Sequence, residues 1–327
     1  MTRTRVAAGQ VSGLASAQEL STPRGLLATL LERLQHTWRR IVIGVPYIWL
    51  LVFFLVPFII VLKIAFAEAT VARPPFSALL QWGDSALPGL YYTFENFQYL
   101  IEDSLYYTAY LNSVKLAFLS VILCLLVGFP MAYGIARSSP ATKNILLLLV
   151  ILPFWTSFLL RVYAWIGIMS KQGVLNNALM WLGVIDEPLP LMHTDFAVLL
   201  GITYSYLPFM ILPLYANLEK LDPSLMEAAA DLGARPARTF IDVTLPLAVP
   251  GIIAGSLLVF IPAVGEYVIP ALMGGAETLM VGRVLFDEFF LNRDWPVASA
   301  VAIVLLVLLV APIVFFQHYQ MRQAEAR

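Results

Sequence analysis

The stretch FIPAVGEYVIP, residues 260–270, sets one carboxyl group among apolar side chains, with Pro262 and Pro270 interrupting the helix around it. An acid at membrane depth is expensive unless it is paired or hydrated, which makes Glu266 a functional candidate. Two chemistries fit it. Glu266 can supply a counter-charge for a cation crossing the membrane. It can also pair with Arg161, the one base that lies within an apolar run and away from its ends. A rise of about 1.5 Å per residue puts Glu266 about 24 Å along its run from Pro250, and Arg161 at a similar height from Ile145. A third use of Arg161 is to snorkel outward from a run that carries Trp155, Tyr163 and Trp165. Aromatic faces attract ammonium groups by about 0.5–2 kcal/mol each. Tyr267 and Trp155 therefore join Glu266 and Arg161 as candidate pathway residues, although most intramembrane aromatics pack or anchor.

Other chemistry is sparse. Cys124 is the single cysteine, so no disulfide or thiolate cluster is available. His36, His193 and His318 are far apart and form no metal-spacing motif. The chain has no G-x-x-x-x-G-K-[ST] phosphate loop, so any nucleotide that drives it must bind another chain. No cofactor, metal or nucleic-acid partner is expected.

The elements that must hold these residues are membrane spans. The chain has 327 residues, 60% hydrophobic and 13% charged, with a mean hydropathy of +0.81. A soluble domain carries about a quarter charged residues. Six apolar runs, roughly 41–66, 107–136, 145–169, 196–218, 249–273 and 297–319, are each long enough to cross a bilayer. The expected fold is all-α with six transmembrane helices. With the N-terminus in the cytoplasm, the inner segments hold thirteen Lys and Arg and the outer loops four. That bias puts both termini in the cytoplasm. Twelve acids lie in the outer loops, giving that face a net charge of −8. Among them Asp287, Glu288 and Asp294 precede the last run, where they can steer a cation or a basic partner surface. Exposed loops also carry acids simply for solubility.

Residues 1–40 read as a cytoplasmic tail whose Leu26, Leu27, Leu30, Leu31, Leu34 and Trp38 form the apolar side of an interfacial helix. The permease region is 41–319, with a short tail at 320–327. The outer segments FENFQYLI and GVLNNALMWLGVI read as short amphipathic helices, suited either to external docking or to packing across the bundle.

The inner loop 219–248 reads EKLDPSLMEAAADLGARPARTFIDVTLPLA. Asp222, Pro223 and Ser224 start a helix, Gly233 ends it, and a second helical turn runs from Pro236 to a stop at Pro246. Glu227, Ala228 and Ala229 are followed after three residues by Gly233, and after nine more by Val243, Thr244, Leu245 and Pro246. This resembles the EAA loop of bacterial ABC importer permeases. The stretches PFWTSFLLRVYAWIGI, VFIPAVGEYVIPALMGG and GRVLFDEFFLNRDWPVASAVAI are similar to polyamine permeases of the putrescine type. The resemblance covers roughly residues 41–319. It implies a type I importer in the bacterial inner membrane, with no catalysis in this chain. A sister permease beside it, two ATPase subunits below and a periplasmic polyamine-binding protein above would complete the assembly. The loop would dock on an ATPase through Glu227, Ala228, Ala229, Gly233, Leu245 and Pro246. The rivals are an importer of the same build for another solute, and an ATP-independent cation transporter, which has no use for such a loop.

Overall fold

A computed structural model describes residues 40–81 and 89–325. The expected N-terminal amphipathic helix lies outside the described residues. Residues up to Leu62 form one unit and those from Lys63 another. Helix α1 (Arg40–Ala65) is a 26-residue apolar helix. Its large side chains from Ile41 to Ile60 are almost all exposed, as a helix that meets lipid requires.

In the second unit, α2 (Glu95–Glu102), α3 (Ser104–Arg137), α4 (Pro140–Ile151), α5 (Phe158–Met169) and α6 (Val174–Trp181) follow in order. Next come α7 (Asp195–Leu218), α8 (Ser224–Asp231), α9 (Pro236–Val264), α10 (Val268–Met273), α11 (Val281–Phe286) and α12 (Trp295–Glu325). The backbone of the expected C-terminal tail is thus a continuation of α12 as far as Glu325. The one sheet among the described residues is a two-stranded antiparallel ribbon, β1 (Leu80–Gln81) with β2 (Gly89–Leu90), in the segment between α1 and α2. Among the described residues four helices are long and apolar enough to cross a membrane, five if the bent pair is one broken span and not a re-entrant loop. Residues Trp295–Ala311 of α12 add a shorter apolar stretch.

The core is built where α3, α7 and α9 pack together. Leu116, Ile202 and Val264 belong to one buried cluster, and Cys124, Met210, Leu214 and Val259 to another. Six prolines, Pro130, Pro208, Pro213, Pro246, Pro250 and Pro262, sit inside these three helices without ending them. Neighbouring helices and local adjustment tolerate them, as in other membrane spans.

Two of the expected spans are not straight rods. The run 145–169 breaks: α4 tightens into a 3-10 turn at Leu152–Trp155, and the chain leaves at 92° as α5. Pro153 lacks an N–H, and Thr156 and Ser157 have extended backbone, with the Thr156 hydroxyl donating to Pro153 O at 2.7 Å. The run 249–273 ends as a long helix at Val264, and only after the irregular residues Gly265–Tyr267 does α10 begin.

The two short amphipathic helices α2 and α6 are each tied to their own loops by a buried asparagine. Asn96 of α2 is buried and donates to Ala65 O and Ala67 O at 2.9 and 2.8 Å. Asn176 of α6, also buried, donates to Ser170 O and Leu189 O and accepts from Leu189 N–H. Each asparagine closes its own loop by satisfying buried backbone groups.

Candidate functional site

The loop 219–248 forms an exposed knob. None of α8 is buried, Glu227 and Ala228 are exposed, and Leu232 is 89% exposed. Asp222 starts α8 by accepting from Ser224 N–H at 2.9 Å, and that contact holds its carboxyl below the ordinary range. The far end is a Schellman turn. Gly233 N–H donates to Ala230 O at 2.8 Å and Ala234 N–H to Ala229 O at 3.0 Å. This turn puts Gly233 at φ +81, a conformation open to glycine at little strain. The spacing from Glu227 to Gly233 is thus one short helix and its terminator.

One expectation about the loop is corrected. The second helix does not stop at Pro246. It passes through a π turn at Phe240–Thr244, where Leu245 N–H reaches back to Phe240 O, and runs on through α9. The wider turn gives the Pro246 ring room that a regular α-turn denies. Leu245 and Pro246 therefore lie where the π turn passes into the rest of one continuous helix.

The knob is tied down at its base. The Arg137 guanidinium donates to Met226 Sδ. Phe240 meets the ring edges of Phe129 and Tyr133 at 5.5 and 6.1 Å. Lys143 Nζ donates to Glu219 at 3.0 Å. The Tyr215 hydroxyl and the Lys143 ammonium hold the Glu219 carboxyl below its usual range. Glu227 has no ion-pair partner among the described residues.

At the break in the fifth run, Glu266 is 7% exposed. Its Oε1 accepts from the backbone N–H of Val268 at 3.0 Å and of Ile269 at 3.3 Å, and its Oε2 accepts from the Tyr206 hydroxyl of α7. Local geometry explains this: two residues before α10, a carboxyl can reach back over the free N–H groups of the first turn. Nothing in the sequence marks Tyr206 as this partner, because the two residues lie 60 positions apart.

No ion pair joins Glu266 to Arg161 among the described residues. The 92° turn invalidates the height counted for Arg161 along a straight span, and the Glu266 oxygens are already occupied. The Arg161 guanidinium instead lies over the rings of Phe154 and Phe158 at 5.3 and 5.7 Å, with Nε enclosed and unpartnered. An aromatic chain still links the two breaks: Phe154 meets Phe209 at 5.2 Å, and Phe209 meets Tyr206 at 6.0 Å. Tyr267 stacks on Phe286 at 4.1 Å. Trp155 is 74% exposed at the end of the 3-10 turn.

Thr156, Ser157 and Gly265 are exposed although their backbone is irregular. Such backbone at membrane depth must be covered by protein or line water, since lipid cannot satisfy it. A further contact went unread in the sequence: a Cβ on Gly282 would lie 2.4 Å from Gly265 O and 2.6 Å from Glu266 O. Helix α11 thus presses its backbone against the break.

Asp287, Glu288 and Asp294 are each engaged within the protein. Asp287 lies 3.9 Å from Arg283. Glu288 accepts from the Tyr106 hydroxyl at 2.8 Å and from Asn292 at 3.0 Å. Asp294 caps α12 by accepting from Val297 N–H at 3.0 Å. All three hold the loop between α11 and α12 in shape.

Residues 124–322, which contain both the knob and the break at Glu266, match the family described as binding-protein-dependent transport system inner membrane component. The chain belongs to this family. It is a multi-pass membrane subunit of a transport system. The spermidine/putrescine transport system permease protein PotB of Haemophilus influenzae is 38% identical over 287 residues, 88% of this chain and 95% of that protein. PotB of Escherichia coli is 40% identical over 261 residues, 80% and 90% of the two chains. The molybdenum transport system permease protein ModB of Mycobacterium bovis is 33% identical over 207 residues, 63% of this chain and 76% of its own. Among solved structures, a chain of a bacterial alginate ABC transporter bound to its periplasmic protein superposes with TM-score 0.65 at 19% identity, covering 90% of this chain and 97% of that one. That likeness establishes the ABC permease fold.

Proposed function

We propose that this chain is one permease of an ATP-driven polyamine importer of the putrescine type in the bacterial inner membrane. The observation that carries the substrate class is the 38–40% identity to the PotB permeases along 80–88% of the chain. The fold by itself selects no solute, since the ModB relative carries a different named cargo. In this reading the chain crosses the membrane six times with both termini cytoplasmic, the bent pair α4–α5 and helix α12 each serving as one crossing. The thirteen-to-four distribution of Lys and Arg supports that orientation. A sister permease, two ATPases and a periplasmic polyamine-binding protein complete the machine.

The knob 219–248 docks on an ATPase, with Glu227, Ala228 and Ala229 on the exposed helix and Gly233 setting its exit. Leu245 and Pro246 pass the motion into α9. The solute path runs along the two breaks, where irregular backbone is exposed. Glu266 and Tyr267 border it at one break and Trp155 at the other, while Arg161 braces the aromatic chain between them. Asp287, Glu288 and Asp294 shape the outer loop and leave that face negative toward an approaching amine.

The test is uptake of radiolabelled putrescine in cells stripped of their own polyamine importers and supplied with this chain and its cognate subunits. Uptake should require both this chain and the ATPase. Uptake of molybdate instead of putrescine would overturn the substrate class, and putrescine uptake that survives loss of the ATPase would overturn the coupling.

A further inference from the structure

With the acids of the α11–α12 loop engaged, the free charges beside it are of the opposite sign. Arg73 and Arg293 are both exposed, and neither has an ion-pair partner among the described residues. They line one groove of about 680 Å³, together with Pro74, Pro75, Phe289 and Trp295. Its floor is aromatic. Phe289 stacks on Trp295 at 5.0 Å with the rings 5° from parallel, and Phe76 meets Trp295 at 6.1 Å.

The backbone carries a second, independent sign. Arg293 sits at φ +57, a left-handed conformation that side chains other than glycine and asparagine rarely adopt. Asp294 N–H, donating to Glu288 O at 2.9 Å, and the Tyr106 hydroxyl, donating to the Glu288 side chain, hold that turn. Strain kept at an exposed arginine points to a use for the side chain.

We propose that this groove receives carboxylate side chains from the substrate-binding protein of the transport system. The proposal rests on the reading above, which puts this loop on the outer face. An amine substrate is repelled by two guanidinium groups, so the groove is not a stop on its path. A protein carboxylate fits: guanidinium forks bind it in two parallel hydrogen bonds, and the aromatic and proline floor excludes water beside them. On a face that is otherwise net negative, the pair of arginines also fixes where an acidic partner surface can land.

The test uses the complete importer in nanodiscs and the binding protein encoded with this chain. Its Kd is measured at 20 and 150 mM NaCl, in phosphatidylcholine discs and in discs containing phosphatidylglycerol. Arg73→Gln with Arg293→Gln should weaken binding roughly tenfold at low salt and flatten the salt dependence, with basal ATP hydrolysis unchanged. Lys171→Gln, an exposed outer-loop control, should do neither. Wild-type Kd and salt dependence in the double variant would overturn the assignment. A loss seen only in phosphatidylglycerol discs would overturn it in favour of a lipid headgroup. A binding protein that docks through the arginines but takes neither putrescine nor spermidine would sink the polyamine reading and leave the groove standing.

Discussion

Replacing Glu266 with alanine removes the acceptor of three hydrogen bonds at once, from the Tyr206 hydroxyl and from the N–H groups of Val268 and Ile269. A buried donor left unmet costs about 1–3 kcal/mol. Val268 and Ile269 share one oxygen, and the Ile269 contact is long at 3.3 Å, so the sum is about 3–5 kcal/mol. Against a stability of about 5–15 kcal/mol, that is a large fraction. Glu266→Gln keeps an acceptor for the two N–H groups and sets an NH2 against the Tyr206 oxygen, so it should cost only about 1–2 kcal/mol. Tyr206→Phe removes one donor and should cost about the same. The assay is the thermal midpoint of the detergent-purified complex by fluorescence size exclusion, beside putrescine uptake. Alanine should lower the midpoint sharply while glutamine and Tyr206→Phe lower it little. A wild-type midpoint for Glu266→Ala would refute the capping argument. Normal stability with lost uptake in Glu266→Gln supports the path role, and normal uptake removes it. Because Arg161 is not its partner, Glu266→Gln with Arg161→Gln should be additive to within about 0.5 kcal/mol. Recovery of stability in that double variant would show that the two charges pair after all.

Gly282→Ala places a methyl group 2.4 Å from Gly265 O and 2.6 Å from Glu266 O, so α11 must retreat by most of an ångström, at about 1–3 kcal/mol. The midpoint should fall and putrescine uptake should drop, and an unchanged midpoint would mean that the close approach is not structural. Gly233→Pro cannot adopt φ +81 and removes the N–H that meets Ala230 O, whereas Glu227→Lys changes only an exposed charge. Both should leave membrane insertion intact and abolish ATP-driven uptake and ATPase pull-down, and normal pull-down with normal uptake in both would sink the coupling role of the knob.

What the sequence disclosed was local. The knob was legible because a helix start at Asp222, a run of alanines and a left-handed glycine are each encoded within a few residues. The short helices at FENFQYLI and GVLNNALMWLGVI were legible for the same reason, through their apolar spacing. Proline was a poor guide to breaks: six prolines lie within the continuous helices α3, α7 and α9, whereas Pro153 opens a 92° turn. The difference lies just downstream of Pro153, where Thr156 and Ser157 leave the helical region and no neighbouring helix restores them. Nor could residue counting place Arg161 relative to Glu266 once the span between Ile145 and Met169 had turned.

Charge shows the same limit more sharply. Summing the loops gives a net sign for one expected face and directs attention to its acids. Tertiary contacts decide which charges remain free, and those contacts are remote in sequence. Glu288 is engaged by Tyr106, 182 residues away. Asp195 accepts from Thr278 at 2.7 Å and lies 3.9 Å from Lys115. Asp294 and Asp287 are used within their own loop. Subtracting those engaged groups leaves Arg73 and Arg293 as the unpaired charges around the groove at Trp295. In the orientation proposed above, the long-range field of that face is negative toward an amine, while the groove beside α12 presents two arginines to an acidic protein. Two partners of opposite charge can therefore use one face, because one reads the sum and the other reads the unpaired remainder.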